Sequence, residues 1–284
     1  MIPTKIERAS FMDKTFFFMA GLPRSGSTLL SAILNQNPDV YASPQTDLLR
    51  LMYLFNTNVP LFESYQTGIK QKDYLKILEN FGKNFYANQS QKFIIDKNRA
   101  WATPGNLELA KLLNPNPKII LPYRPILEIL TSFVLLCHKY PNSNFIDREL
   151  KETDFFSKYY RPIDDARCDY LMRSNGEIDQ AILGLSEIKK RPNELLLINY
   201  HDLVQKPSDL LNQIYEFLKI PRSNHSFSEI ESPDQRFSDS KVYGMPSLHY
   251  VRSNLAIRSR KPEEILSDYV LTKYSKTLDF LEGK

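Results

Sequence analysis

Hydrophobic and polar positions divide the chain into short apolar runs and longer stretches with helical spacing. Apolar residues three and four positions apart indicate one face of a helix, whereas short runs rich in β-branched and aromatic residues indicate buried strands. The pattern predicts strands at 15–20, 40–42, 92–96, 118–122 and 194–199. It predicts helices at 27–36, 71–86, 104–113, 126–138, 166–190 and 207–218.

The order of these elements predicts the fold class. Strands that alternate with helices of this length form βαβ units, which build a parallel sheet with helices on both faces. We therefore predict an α/β fold. No linker divides the chain, so residues 1–284 are expected to form a single domain. Residues 141–165 mix polar and aromatic side chains without a steady period, which predicts an insertion or a lid.

The amino-acid composition is typical of a globular protein, and the net charge limits the kinds of partner that the protein is expected to bind. Of 284 residues, 42% are hydrophobic and 25% are charged, which excludes disordered, collagen-like and coiled-coil chains. The net charge of +4 is too small to predict a nucleic-acid partner, but it suits a site that collects a small anion. Cys137 and Cys168 lack the spacing of metal ligands and favour a reduced, cytoplasmic protein. No uninterrupted apolar run approaches the roughly 20 residues that cross a bilayer, so no membrane association is predicted.

The strongest chemical signal is the loop between the first predicted strand and the first predicted helix. Its sequence is Ala-Gly-Leu-Pro-Arg-Ser-Gly-Ser-Thr over residues 20–28. Gly21 and Gly26 allow sharp turns that point backbone N–H groups inward, and the N-terminus of the following helix adds unpaired N–H groups. A serine- and glycine-rich turn that caps a helix would have a similar sequence. Arg24 and the hydroxyls at 25, 27 and 28 favour a phosphate-binding loop over that alternative.

This loop differs from that of the nucleotide triphosphatases at one informative position. Their pattern Gly-x-x-x-x-Gly-Lys-[Ser/Thr] would place a lysine at position 27, and that lysine contacts the β- and γ-phosphates. Ser27 stands there instead, and Thr28 follows it. The positive charge lies inside the loop, at Arg24. The loop therefore favours one less highly charged group beyond the first phosphate over a triphosphate with magnesium.

Residues 21–30 resemble the 5′-phosphosulfate loop of the sulfotransferase family. Within that family, Asn-Pro-Asp-Val at 37–40 and the spacing most resemble the protein-tyrosine and bacterial branch. The resemblance implies a P-loop-like three-layer fold, with a central parallel sheet flanked by helices. It also implies metal-independent, in-line transfer of a sulfuryl group from 3′-phosphoadenosine 5′-phosphosulfate (PAPS) to a hydroxyl or amine of a small-molecule or peptide acceptor. The loop residues implied to hold this cofactor are Pro23, Arg24, Ser25, Gly26, Ser27 and Thr28, and Arg24 is also expected to act in catalysis.

The same family binds the 3′-phosphate of the nucleotide with an arginine after a central strand and a serine eight residues later. Arg124 follows the predicted strand 118–122, and Ser132 lies eight positions further on, in the predicted helix 126–138. Two turns of helix would let Ser132 face back toward the end of the strand. Taken alone, Arg124 could form an ion pair with Glu128, four residues away, and Ser132 could be an ordinary helix hydroxyl.

Three further positions complete the implied cofactor site. Lys97 follows the predicted strand 92–96, where the family places a lysine beside the transferred group. A fixed cation there would stabilise the bridging oxygen as the S–O bond breaks, whereas the alternative is a solvated lysine. Tyr200 could contact the nucleotide or pack in the core. Residues 240–260 resemble a cofactor-covering loop in composition, and that loop would bring Arg252 or Lys241 to a phosphate.

The catalytic base is where the sequence departs from the family. The protein-tyrosine branch has a glutamate at the position of Gln45, and the cytosolic branch has a histidine at the position of Arg99. Neither of these side chains accepts a proton at neutral pH. The nearest carboxylate is Asp47, which we predict as the base, with helix capping as its alternative role. Asp96 and His249 are the next candidates.

Two other functions stay open on the sequence. A P-loop kinase for small molecules would use a similar loop, although Ser27 replaces its lysine and the Arg124–Ser132 pair would have no purpose there. A binding module that keeps the nucleotide pocket but has lost catalysis would explain Gln45 and Arg99.

Overall fold

A parallel sheet forms the centre of the computed structural model, which describes residues 14–141, 143–152, 162–187, 190–231, 239–256 and 260–282. Within these residues the strands are β1 Thr15–Met19, β2 Val40–Gln45, β3 Phe93–Lys97, β4 Ile119–Tyr123 and β5 Leu195–Asn199. Their order is β2-β3-β1-β4-β5, and every neighbouring pair is parallel. The predicted α/β fold with a central parallel sheet is confirmed.

Helices flank this sheet on both faces. Those in the described residues are α1 Ser27–Leu34, α2 Leu48–Asn58, α3 Glu63–Gln66, α4 Gln71–Phe85, α5 Pro104–Leu113, α6 Ile126–Lys139, α7 Phe145–Glu152, α8 Ile163–Leu171, α9 Glu177–Ser186, α10 Tyr200–Gln205, α11 Pro207–Leu218, α12 Asp239–Tyr243, α13 Asp268–Tyr274 and α14 Asp279–Glu282. Over these ranges, none of the helices combines the length and the apolar character that crossing a bilayer requires.

The sequence of β1 explains the two layers of helices. Phe16 and Phe18 pack with residues of α2, α4, α5, α6, α8 and α9 on one face of the sheet. Phe17 and Met19 pack with residues of α1, α10 and α11 on the other face. Successive side chains of a strand point to opposite faces, so a strand covered on both faces needs an unbroken apolar run rather than an alternating one.

The prediction of one helix over 166–190 is wrong. α8 ends at Leu171 and α9 begins at Glu177, so a turn separates two shorter helices. Asn175 lies in this turn with a φ of 60°, and its N–H donates to the Asp179 carboxylate at 2.8 Å. A residue in the left-handed region interrupts the helical hydrogen bonds, which the apolar spacing alone does not reveal.

Residues 141–165, predicted as an insertion or a lid, contain α7. Ile146 and Leu150 of this helix are buried. Asp147 accepts two hydrogen bonds from the Arg167 guanidinium of α8, at 2.7 and 2.6 Å, and these bonds fix α7 against α8. Residues 153–161 lie outside the described residues, so the lid stays a prediction.

The parallel strands determine where a ligand site can form. Because the strands run in one direction, their carboxyl ends meet at a single edge of the sheet. β1 lies in the middle, and the chain first builds β2 and β3 on one side before it crosses to β4 on the other. Open α/β sheets bind ligands at such a reversal, outside the carboxyl ends of the strands.

Candidate functional site

The predicted phosphate loop lies at the carboxyl end of β1 and leads directly into α1. Gly21 has a φ of 102°, and a Cβ atom at this position would lie 2.3 Å from the Pro122 carbonyl oxygen. The Leu22 N–H donates to the same oxygen at 3.0 Å. Glycine is therefore required here, because the loop backbone lies directly against β4.

Gly26 precedes the first turn of α1. Its φ is 86°, and a Cβ atom there would lie 2.9 Å from a ring carbon of Tyr200. The first N–H groups of α1, from Ser27 and Thr28 onward, lack partners within the helix and point out of its N-terminus. Together with the positive end of the helix dipole, they are suited to an anion.

Ser25 differs from the other hydroxyl residues of the loop. Its side chain is fully buried, and its Oγ lies 2.5 Å from the Leu22 carbonyl oxygen and 3.0 Å from that of Pro122. The hydroxyl therefore stabilises the loop from inside. The group of Ser25 that is suited to a phosphate is therefore its backbone N–H.

Arg24 extends from the loop toward two later parts of the chain. Its φ is 60°, which is uncommon for a residue with a side chain. The guanidinium donates from Nε to the Ser132 Oγ at 3.1 Å and from its terminal nitrogen to the Leu248 carbonyl. Burial and the neighbouring charge of Arg124 lower the pKa of Arg24 to about 10, so it remains charged at neutral pH.

Arg124 lies just after β4 and is buried. Its Nε donates to a Glu128 carboxylate oxygen at 2.8 Å, and its guanidinium carbon lies 4.4 Å from the centre of the Tyr200 ring. The other oxygen of Glu128 lies 2.9 Å from Nε2 of His201. The ion pair with Glu128 is therefore present, and Arg124 nonetheless faces the same cavity as Arg24.

Lys97 is the last residue of β3, and it is buried rather than solvated. Its backbone N–H donates to the Ser43 Oγ at 2.9 Å, and its Nζ donates to the Thr28 Oγ1 at 3.3 Å. Burial, and to a smaller extent the charge of Arg99, lower the pKa of Lys97 to about 7. A buried cation with a lowered pKa gains stability when an anion binds beside it.

The phosphate loop, α6 and Arg124 surround a cavity of about 510 Å³ at the carboxyl edge of the sheet, and its described lining does not include Ser25 or Lys97. Its described lining holds six arginine or lysine side chains against two glutamates, Glu128 and Glu177. The predicted residues that line it are Pro23, Arg24, Gly26, Ser27, Thr28, Arg124, Ser132, Tyr200 and Arg252. The excess of positive over negative side chains in this lining suits a small molecule with several negative groups.

A segment near the end of the chain forms another wall of this cavity, to which residues 247–252 contribute. Gly244 has a φ of 64°, and a Cβ atom there would lie 1.6 Å from the Ser143 carbonyl oxygen. The Ser247 Oγ lies 3.0 Å from the Tyr140 hydroxyl. These contacts hold the segment against the end of α6. Residues 257–259 lie outside the described residues, and a cofactor-covering role for 240–260 stays a prediction.

The first predicted base, Asp47, lies immediately before α2. Its side chain is exposed and makes no hydrogen bond that caps the helix. It is not among the described residues that line the cavity. The structure therefore gives no support to the capping alternative, and it leaves the role of Asp47 as base a prediction.

Asp96, a further candidate, is completely buried between β3 and its neighbours. Its carboxylate accepts hydrogen bonds from the Thr46 hydroxyl at 2.6 Å, from the Trp101 ring N–H at 2.7 Å and from the Tyr86 hydroxyl. Burial raises the pKa of Asp96. These three donors hold the carboxylate in the core, and Asp96 is not among the described residues that line the cavity.

His249, the last candidate, lines the cavity. Its Nδ1 lies 2.7 Å from a carboxylate oxygen of Asp239. The sequence analysis missed Asp239, which is ten residues from His249, lies on a short helix and belongs to no motif.

The sequence analysis also missed the partner of Arg99, the residue at the position of a family base. Arg99 forms an ion pair with Glu177 at the cavity wall.

Across the described ranges, His, Cys, Asp and Glu side chains form no group of three or more that could hold a metal ion.

Sequence comparison identifies relatives of this chain. A model described as the sulfotransferase family matches residues 17–224, which extend from within β1 to beyond α11. A protein of Caenorhabditis briggsae named "Putative protein-tyrosine sulfotransferase" is 25% identical over 232 residues. That similarity covers 79% of this chain and 75% of the relative.

Two solved structures share the fold. The sulfotransferase domain of the olefin synthase from Synechococcus PCC 7002 has a TM-score of 0.56 and 16% identity, covering 97% of this chain and 98% of that domain. The sulfotransferase domain from the curacin biosynthetic pathway has a TM-score of 0.53 and 18% identity, covering 96% of this chain and 99% of that domain. At this identity the likeness shows the fold, a P-loop-like parallel sheet between layers of helices.

Proposed function

Because the chain belongs to the sulfotransferase family, we propose that it transfers a sulfuryl group from PAPS to a hydroxyl or amine acceptor. The observation that supports this most is the convergence of Arg24, Arg124 and Lys97 on the phosphate loop at one edge of the sheet. PAPS has a 5′-phosphosulfate and a separate 3′-phosphate. The cations of the site and the free N–H groups of α1 supply the countercharge that such a molecule requires.

The binding roles follow from the donors present. The loop N–H groups and Arg24 would hold the 5′-phosphosulfate, while Arg124 and Ser132 would hold the 3′-phosphate. The Ser132 oxygen accepts from Arg24, which leaves its own O–H proton to donate to a phosphate. Arg124 can offer two parallel N–H groups, and charge-assisted bonds of this kind are about twice as strong as neutral ones. Tyr200 and Arg252 line the same cavity and complete the proposed set.

The proposed catalytic role of Lys97 rests on its position and charge. When bound, PAPS supplies the activated sulfuryl group, and negative charge collects on the bridging oxygen as that group leaves. A preorganised cation at a developing charge stabilises the transition state more than the ground state. Lys97 is buried against Thr28 of the loop, so little reorganisation is needed for it to act.

The acceptor proposal rests on the relatives. One of them is named for the tyrosine residues of proteins, and the two fold neighbours are domains of a synthase and of a biosynthetic pathway. We therefore propose a phenol or alcohol, on a small molecule or a peptide, as the acceptor. Both cysteines are buried free thiols, which supports a reducing, cytoplasmic location.

A transfer assay with sulfur-labelled PAPS tests the proposed function. Purified protein is incubated with phenols, alcohols, amines and tyrosine-containing peptides, and labelled product is quantified. We expect label on at least one hydroxyl class without added metal. Calorimetry with adenosine 3′,5′-bisphosphate and with ATP and Mg²⁺ accompanies the assay. Bisphosphate binding without transfer would identify an inert binding module, and preference for ATP with Mg²⁺ would identify a kinase.

A further inference from the structure

A histidine and a carboxylate form a hydrogen-bonded pair at the wall of the nucleotide cavity. Nδ1 of His249 lies 2.7 Å from Oδ1 of Asp239, and the backbone N–H of His249 donates to Oδ2 at 2.7 Å. Asp239 is buried, with 6% of its surface exposed. Both oxygens of the Asp239 carboxylate therefore bond to His249, and the two bonds fix the position and the rotation of the His249 ring.

This contact determines the tautomer of the ring. An ionised carboxylate has only acceptor sites, so Nδ1 must carry the proton that it shares with Asp239. Nε2 then carries the lone pair. A neutral imidazole held in this tautomer by a carboxylate is the arrangement that general bases use to accept a proton from a hydroxyl.

The surroundings of His249 keep its ring neutral. Burial lowers its pKa, the hydrogen bond and charge of Asp239 oppose this, and Lys97 and Arg99 lower it further. The Tyr243 ring of α12 packs against the imidazole at 5.6 Å between centroids. At neutral pH the imidazole is therefore mostly unprotonated, as a base requires.

One hydrogen bond and one effect of charge connect the pair to the proposed cofactor site. Leu248, the residue before His249, accepts a hydrogen bond from Arg24 of the phosphate loop. Lys97, which we propose stabilises the leaving oxygen, is close enough to affect the charge of His249. The imidazole thus shares a cavity with the groups that would hold the phosphosulfate.

We propose that His249 is the general base for the acceptor and that Asp239 is its positioning residue; this inference rests on the proposed sulfotransferase function. Nε2 of His249 takes the proton from the acceptor hydroxyl as its oxygen forms a bond to sulfur. The bond between sulfur and the bridging oxygen of the 5′-phosphate breaks, and adenosine 3′,5′-bisphosphate leaves with that electron pair. The imidazolium then returns the proton to water.

The structure favours His249 over the two carboxylates predicted from sequence. Asp47 is exposed and does not belong to the described lining of the cavity. Asp96 is sealed in the core by three hydrogen-bond donors. Of these three candidates, His249 alone combines a cavity position with a partner that orients it.

The first test replaces the histidine and keeps its approximate size. For His249→Gln we expect kcat to fall about 10²- to 10⁴-fold with the best acceptor, because a general base supplies an effect of that size. The affinity for adenosine 3′,5′-bisphosphate should change by less than about threefold. His138→Gln is the matched control, since His138 of α6 is paired with Asp164 of α8, is half exposed and does not line the cavity.

Two further measurements separate a base from a structural residue. In the wild type, kcat/KM should fall as pH drops through the His249 pKa, and this limb should be absent in His249→Gln. Added imidazole should restore part of the activity of His249→Ala but not that of Lys97→Ala.

The variant Asp239→Asn tests the positioning residue. Its kcat should fall at least about tenfold, and the acidic limb of its pH profile should move to lower pH because Asp239 raises the His249 pKa.

The outcomes distinguish this inference from the function on which it rests. If the wild type transfers sulfate and a folded His249→Gln variant keeps wild-type kcat, the base assignment is overturned and the sulfotransferase function stands. A loss of kcat in His249→Gln with an unchanged acidic limb and no imidazole rescue would also overturn it. If the wild type transfers no sulfate to any acceptor, both proposals fail together.

Discussion

Lys97 holds its amine at the buried end of β3, within hydrogen-bond distance of the phosphate loop. Lys97→Ala should lower kcat by about 10²- to 10³-fold, which is typical for the loss of one group that stabilises a developing charge. KM should rise much less, because that charge is greatest in the transition state. Steady-state kinetics measure both constants. Lys118→Ala is the control, because Lys118 precedes β4 and lies at the edge of the sheet opposite to the phosphate loop. An unchanged kcat for Lys97→Ala would contradict the proposed role of Lys97.

The lowered pKa of Lys97 makes nucleotide binding depend on pH. With a pKa of about 7 in the free protein, Lys97 loses its charge as pH rises above 7, and the bound bisphosphate favours the charged form. The affinity should therefore fall by up to about tenfold per pH unit above pH 7, where the phosphates are already ionised. Calorimetry between pH 7 and 9 measures this slope. Lys97→Ala should bind more weakly and show a much flatter profile, and equal slopes would disprove the linkage.

Arg124 is the residue on which the proposed 3′-phosphate contact depends. Arg124→Ala should weaken adenosine 3′,5′-bisphosphate binding by roughly 2–4 kcal/mol, because a phosphate loses a charge-assisted partner. Glu128 keeps His201 as a neighbour, so the fold should survive. Arg191→Ala is a matched control that removes an arginine paired with glutamates outside the described cavity lining. Equal losses of affinity in the two variants would show a general effect of charge.

At the scale of elements, Gly244 joins the segment after α12 to the end of α6. Its left-handed φ and the Ser143 oxygen leave no space for a Cβ atom, so Gly244→Ala must displace this segment. We expect a loss of about 1–3 kcal/mol of stability and weaker nucleotide binding, because Leu248 would lose its place beside Arg24. Thermal unfolding and calorimetry measure the two effects. Gly105→Ala in α5, where a Cβ atom meets nothing, should keep both properties, and equal behaviour of the two variants would refute the role of Gly244.

Helices and strands could be predicted from the sequence where the residues of the element itself determine its structure. The run of aromatic residues in β1 is apolar on both faces, so it predicted a buried strand without information from the rest of the chain. Asn175 shows the limit, because its left-handed conformation and its bond to Asp179 divide a stretch that has helical spacing throughout. The residues of the proposed phosphate loop could be found in the sequence because they are consecutive, although phosphate binding by them stays a prediction. The pairing of Asp239 with His249 was not, because it depends on how α12 packs.

At the scale of the whole molecule, the cavity concentrates positive charge from loops that follow β1, β3 and β4 and from the segment after α12. Adenosine 3′,5′-bisphosphate should therefore stabilise the protein without metal. At 100 times Kd the gain is about 2.7 kcal/mol, or a rise in Tm of roughly 5–10 °C. Thermal unfolding with EDTA measures this, and ATP at equal concentration is the comparison. Dependence on Mg²⁺, or a larger shift with ATP, would contradict the proposed donor.

The hydrogen bond from Arg24 to Leu248 joins residues 224 positions apart, and it has a consequence for synthesis on the ribosome. The phosphate loop is synthesised first, and the carbonyl that accepts from Arg24 follows only after those further residues have been added. At about 5–20 residues per second, this interval lasts roughly 10–45 s. During the last part of that time, once β4 has been made and Pro122 can support the loop, the nascent chain still lacks the wall that carries Leu248 and His249. On the proposed function, the donor could meet a partly built site, but turnover would have to wait for the late segment to dock.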